Sequence, residues 1–165
     1  MKKITFLSLL CILTLNSIAQ NKFGYIDSQE LLMLMPERKT AETDVQNFAK
    51  SLEAQLGSMT AEYQEKAQEY QANEATYTDL VKQDKIAEIT GLEQRIQAFQ
   101  KNAQQSLQTK EQELLEPILA KARKAVKDVA TEGDYTYIFD KSNGTLLFAK
   151  ESENVLSLVK KKLGL

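Results

Sequence analysis

The chain has 165 residues, a formal net charge of −2, 42% hydrophobic and 27% charged residues, one Cys and no His. Without His, and with no cluster at metal-ligand spacing and no nucleophile elbow, no catalytic residue, metal or cofactor is expected. No basic patch points to nucleic acid, and no Gly-rich loop points to ATP.

Residues 1–19 read as a secretory signal peptide. Lys2 and Lys3 form the positive end, residues 4–15 the apolar core, and Ser17-Ile18-Ala19 the small-residue site, with cleavage after Ala19. The apolar run is short for a membrane span. Leu10 before Cys11 is not the small residue of a lipoprotein site. Cys11 leaves with the signal, so the exported chain, residues 20–165, depends on no disulfide. It carries 19 basic and 23 acidic residues.

Residues 22–26 form a strand candidate containing Phe23, Gly24, Tyr25 and Ile26. Asp27-Ser28-Gln29-Glu30 has the spacing of a helix cap, and residues 31–35 the apolar side of a short helix ending near Pro36. Residues 37–132 then carry a helical stripe. It passes through Val45, Phe48, Leu52, Leu56, Met59, Tyr63, Tyr70 and Tyr77, and resumes at Ile89, Leu92, Ile96, Phe99, Ala103, Leu107, Leu114 and Ile118. Steps of three and four are one face of an α-helix.

A single rod of that length would reach about 140 Å, and folding back lets the two halves of the stripe cover each other. The two prolines, Pro36 and Pro117, are symmetric about Thr76-Tyr77. Residues 73–79 are also the poorest helix formers of the region, with Thr76 or Thr78 able to cap a new helix. The expected arm is residues 37–116 with its tip near 73–79, each half ~55–60 Å long. It holds 15 acidic and 9 basic residues, and is broken by Gly57 and Gly91.

After Pro117 the helix is expected to continue to Glu132, with Gly133 as its C′ residue. Residues 135–140 and 145–149 read as strands joined through Ser142-Asn143-Gly144-Thr145, an Asn-Gly hairpin turn. Ser152 is the expected cap of a last helix, residues 153–163, whose Lys160, Lys161 and Lys162 suit a helix C-terminus before Gly164.

The fold expected is α+β and mostly α. A small β body is assembled from both chain ends, residues 20–36 and 117–165, and a long antiparallel helical hairpin forms the arm. A body of that size rarely stabilises itself through one core. Its Phe23, Tyr25, Tyr137, Ile138, Phe139, Leu147 and Phe148 are therefore the candidate oligomerisation residues.

Phe23-Gly24-Tyr25-Ile26-Asp27-Ser28 behind a signal peptide, Leu114-Leu115-Glu116-Pro117-Ile118 in the second long helix, and Tyr137-Ile138-Phe139-Asp140-Lys141-Ser142 after it occur in an order that resembles the Skp/OmpH family of periplasmic chaperones. The resemblance covers nearly all of residues 20–165. It implies a periplasmic homotrimer with a shared β body, and helical arms enclosing a cavity that holds unfolded outer-membrane proteins without ATP. The family's best-known arms are basic, whereas this arm is acidic, which weighs against contact with membrane or lipopolysaccharide.

Most of the stripe is expected to pack within the hairpin. Phe48, Leu56, Met59, Tyr63, Tyr70 and Phe99 are the candidate client contacts, because Met and aromatic side chains adapt to varied partners. Asp27 and Asp140 read as cap and turn residues rather than a carboxylate pair. The alternative function is an envelope coiled-coil adaptor with one fixed partner. Strict heptads with large a and d residues would favour it, and the Ala, Tyr and Gly in this stripe do not.

Overall fold

Extended backbone next to the first proline, and a second break near the chain's midpoint, divide the helices. The computed structural model describes residues 21–165. The signal peptide expected at residues 1–19 lies outside them. Strand β1 is Phe23–Ile26, helix α1 Ser28–Leu34, and helix α2 Pro36–Asn73. A 3₁₀ turn at Glu74–Thr76 precedes helix α3, Asp79–Glu132. Strand β2 is Tyr137–Asp140, and a second 3₁₀ turn at Glu151–Glu153 leads to helix α4, Leu156–Leu163. The fold is α+β and mostly α. The described chain forms two compact units, residues 21–31 with 122–165, and residues 32–121.

In the first unit β1 and β2 pair in parallel, with Phe23 opposite Tyr137 and Tyr25 opposite Phe139. Lys141 N–H donates to the Ile26 carbonyl at 2.9 Å and Thr136 N–H to Lys22 at 2.7 Å, which extends the ladder at both ends. On the other side of β1, Val155 N–H donates to the Tyr25 carbonyl at 2.9 Å. The core here is Tyr25, Ile26, Leu31, Ala122, Ala125, Val129, Val155 and Val159. A Cβ on Gly24 would lie 3.0 Å from both the Tyr135 ring and Val155, so only glycine lets these elements approach so closely.

Three local expectations are corrected in this unit. Residues 145–149 form no strand, so the Asn-Gly turn closes no hairpin. Gly144 N–H still donates to the Lys141 carbonyl at 3.1 Å, and Gly144 sits at φ +72°. Among the described residues β2 pairs with β1 alone, and its other edge takes no partner from residues 145–149. Second, the last helix starts at Leu156, and its first turn is held by Asn154, not Ser152: Leu156 N–H donates to Asn154 Oδ1 at 3.0 Å. Third, the left-handed residue after α3 is Asp134, at φ +53°, rather than Gly133. Tyr135 N–H donates to Ala130 O at 2.9 Å and Asp134 N–H to Thr131 O at 3.4 Å, the paired bonds of a Schellman motif. Gly133 is needed instead for space, since its Cβ would lie 2.5 Å from the Tyr135 ring.

In the second unit Pro36 opens α2 at its first position, where a missing N–H costs nothing, and Met35 before it is extended. Helices α2 and α3 run antiparallel. Lys121 pairs with Glu37, Lys66 with Glu88 at 3.0 Å, and Lys85 with Glu69 at 2.9 Å. The helices part at Glu74–Thr78, where Thr78 Oγ1 accepts the Val81 N–H at 3.4 Å. Met35, Ala41, Leu92 and Ile118 are the buried apolar residues of this unit.

Candidate interaction surfaces

Alternation along two parallel strands in register puts Phe23, Tyr25, Tyr137 and Phe139 on one face of the sheet. Phe23 stacks on Tyr137 at 6.1 Å between ring centroids, Tyr137 on Phe139 at 6.1 Å, and Phe23 meets Phe139 at 6.3 Å. These three rings are exposed, Tyr137 at 60%. Tyr25 differs: it is 5% exposed. Its hydroxyl donates to Glu151 Oε2 at 2.9 Å, and Lys141 Nζ lies 5.4 Å from its ring. Burial, then the Glu151 carboxylate, push the Tyr25 hydroxyl above its ordinary pKa. Ile138 is half-buried. Leu147 and Phe148 lie in the irregular segment, 94% and 81% exposed. Of the seven sheet-region candidates, then, five present large apolar surface and Tyr25 is spent inside its own chain.

The two acidic residues that follow the strands serve structure. Asp27 Oδ1 accepts the Glu30 N–H at 3.0 Å and caps α1. Asp140 reaches the same helix start across the sheet. It accepts Ser28 N–H at 3.2 Å and Ser28 Oγ–H at 2.6 Å, with Ser142 N–H at 3.0 Å. Burial works to raise its pKa, but these bonds outweigh it and hold the carboxyl below its ordinary value.

On α2 and α3 the six arm candidates, Phe48, Leu56, Met59, Tyr63, Tyr70 and Phe99, are all half-buried. Each is therefore partly covered and partly open to solvent. Near one end of the hairpin Leu32, Ala41, Val45, Leu115, Ile118 and Leu119 line a largely apolar groove of about 380 Å³. The stripe contained Val45 and Ile118, but periodicity alone does not tell a groove from a filled seam. At the other end Leu80, Val81 and Ile86 are exposed, off the stripe and unforeseen.

Charged side chains gather beside the turn that joins the two helices. Lys85 Nζ donates to Glu69 at 2.9 Å and lies 3.8 Å from Glu88, which also holds Lys66. Tyr77 OH donates to Glu69 at 3.4 Å, and its ring lies 6.4 Å from that of Tyr70. The hydrogen bond from Lys85 lowers the Glu69 pKa. Bonds to Glu88 and Glu69 raise those of Lys66 and Lys85 respectively.

Among the described residues no group of His, Cys, Asp and Glu is placed to hold a metal ion, and no helix is long and apolar enough to cross a membrane.

Residues 22–163 match the family described as outer membrane protein (OmpH-like). No curated protein matches the chain. A crystal structure from Caulobacter crescentus CB15, described as an OmpH-like outer membrane chaperone, superposes with a TM-score of 0.76 at 12% identity. The match covers 87% of this chain and 83% of that one, and at such identity the likeness is one of fold.

Proposed function

We propose, from the premise that this chain belongs to the OmpH-like outer membrane protein family, that it is an ATP-independent holdase of the periplasm. Its clients are unfolded outer-membrane proteins, kept soluble between helical arms. The observation that carries this reading is the half-buried stripe, in which Phe48, Leu56, Met59, Tyr63, Tyr70 and Phe99 are each only partly covered. Outer-membrane strands carry apolar residues on alternate positions, and in the unfolded chain these need cover. Many weak contacts summed along a flexible client hold it without fixing one geometry.

The same premise supports a homotrimer. Phe23, Tyr137, Phe139, Leu147 and Phe148 are the surface it would cover, and β2 has no second strand neighbour within the described chain. An open strand edge beside exposed aromatics invites pairing with another copy. The arm's 15 acidic and 9 basic residues speak against lipopolysaccharide as a ligand.

The test is a holding assay. A denatured β-barrel protein is diluted into buffer with and without this chain, in the absence of nucleotide. Suppressed aggregation at a fixed ratio of chaperone to client is expected, and it should weaken with Met59→Ser plus Phe99→Ser while the oligomer persists. Unchanged aggregation, together with tight binding to one folded envelope protein, would replace the holdase with an adaptor.

A further inference from the structure

The turn between β2 and the exposed Leu147–Phe148 segment has a chemistry of its own. Asn143 and Gly144 are both exposed. The Asn143 side chain is folded forward over the chain, its Oδ1 accepting the Thr145 N–H at 3.1 Å and the Thr145 hydroxyl at 2.7 Å. Both bonds draw electron density from the side-chain carbonyl and leave its carbon more electrophilic. Gly144 has no side chain to screen its backbone nitrogen, and its φ of +72° is one glycine alone adopts freely. One 3.1 Å hydrogen bond, from Gly144 N–H to Lys141 O, holds the nitrogen back. The segment that follows is in neither helix nor strand, so that bond opens at little cost.

We infer that Asn143-Gly144 is a site of spontaneous backbone modification, in which the asparagine converts through a cyclic imide to an aspartyl and isoaspartyl mixture. The deprotonated Gly144 nitrogen attacks the Asn143 side-chain carbon and forms a C–N bond. The carbon's bond to the amide nitrogen breaks, and ammonia leaves with the proton. Water then opens the imide at either carbonyl. One opening restores a normal backbone with a new carboxylate. The other inserts an extra carbon into the chain and breaks the geometry of the Lys141–Gly144 turn. Either way a negative charge appears close to Asp140, on the approach to Leu147 and Phe148.

The chain contains its own control. Asn154 makes the same kind of turn, its Oδ1 accepting Leu156 N–H at 3.0 Å. The residue after it is Val155, β-branched and fully buried, which screens the nitrogen and fixes the backbone. The exported protein should be incubated at 37 °C at neutral and mildly alkaline pH, then digested and mapped by mass spectrometry with isoaspartyl-specific methylation. The mass gain of amide-to-acid exchange is expected at Asn143, faster at the higher pH, with Asn154 unchanged. Asn143→Ser should remove the signal. Conversion at Asn154 as fast as at Asn143 would overturn the inference. So would an intact Asn143 over a period in which a free peptide of residues 140–146 converts.

Discussion

Glycines at Gly24 and Gly133 answer to a different requirement from those at Gly57 and Gly91. The first two make room for the Tyr135 ring, whereas a Cβ on either of the others would meet nothing within 4 Å. Gly133→Ala should therefore destabilise the fold by about 1–3 kcal/mol, as forced overpacking does. Gly57→Ala and Gly91→Ala should each raise stability by up to about 1 kcal/mol through helix propensity. Thermal melts of the three variants check the contrast, and equal shifts would refute it. Asp140 contributes to acid sensitivity at the same scale. Its folded pKa lies below its unfolded one, so its contribution is complete above the ordinary Asp range and fades as pH falls through the depressed value. Wild type should lose Tm between about pH 5 and about pH 3, whereas Asp140→Asn should start lower and fall less over that window.

Among the elements, the two long helices were legible because a stripe of threes and fours sustained from Val45 to Ile118 admits little else. The second half of the sheet was not. Residues 145–149 are a short apolar run and Asn143-Gly144 is a strong hairpin signal, yet a strand exists only as a hydrogen-bonded ladder, and the open edge of β2 takes none of these residues as a partner. The parallel partner of β1 lay beyond local reach, since nothing in Phe23–Ile26 names Tyr137–Asp140 as its mate. Tyr25 read as surface because its ring resembles those beside it. Contacts far along the chain, with Glu151 126 residues away and with Lys141, set it apart. The arm's ion pairs belong to the same blind class and lead to a prediction. Glu69 contributes above the ordinary Glu range and loses its contribution in acid. Lys66 and Lys85 contribute below the ordinary Lys range and lose theirs as pH rises through their elevated values. Lys85→Met should speed amide hydrogen exchange at residues 70–82 in neutral buffer, and should do so far less in molar salt, where such pairs are screened. An effect that ignores salt would assign Lys85 a packing role.

For the whole molecule, the proposed assembly and the proposed client capture are assigned to different residues and should separate. Phe139→Asp places a charge in the proposed subunit contact, and light scattering should report dissociation, because a buried unpaired charge is strongly disfavoured. A variant that keeps the wild-type mass would remove the sheet face from the interface. Client holding should change little, or strengthen, as salt rises. Apolar contact does not depend on charge, and attraction between exposed charges is largely lost beyond about 8 Å at physiological ionic strength. A tenfold loss between low and moderate salt would point to charge-driven capture instead.

The parallel pairing of the two chain ends also dictates an order of folding. Ser28 and Asp140 are 112 residues apart, and β1 leaves any export channel long before β2. The sheet is thus a contact of very high order, whose closure entropy must be met before any stability returns. The helical hairpin offers a shortcut: it zips from a local turn and, through Glu37 and Lys121, brings residues 84 apart together. What remains to close is then a short loop rather than most of the chain. Stopped-flow refolding should show far-ultraviolet helix signal first and the near-ultraviolet signal of Tyr25 and Tyr135 later. Weakening the hairpin with Lys85→Met should slow the second phase, whereas Phe139→Asp should leave the first untouched. Simultaneous phases would mean that sheet and hairpin form as one nucleus. If the hairpin leads, an aggregation-prone strand stays unpaired until the last fifth of the protein has emerged.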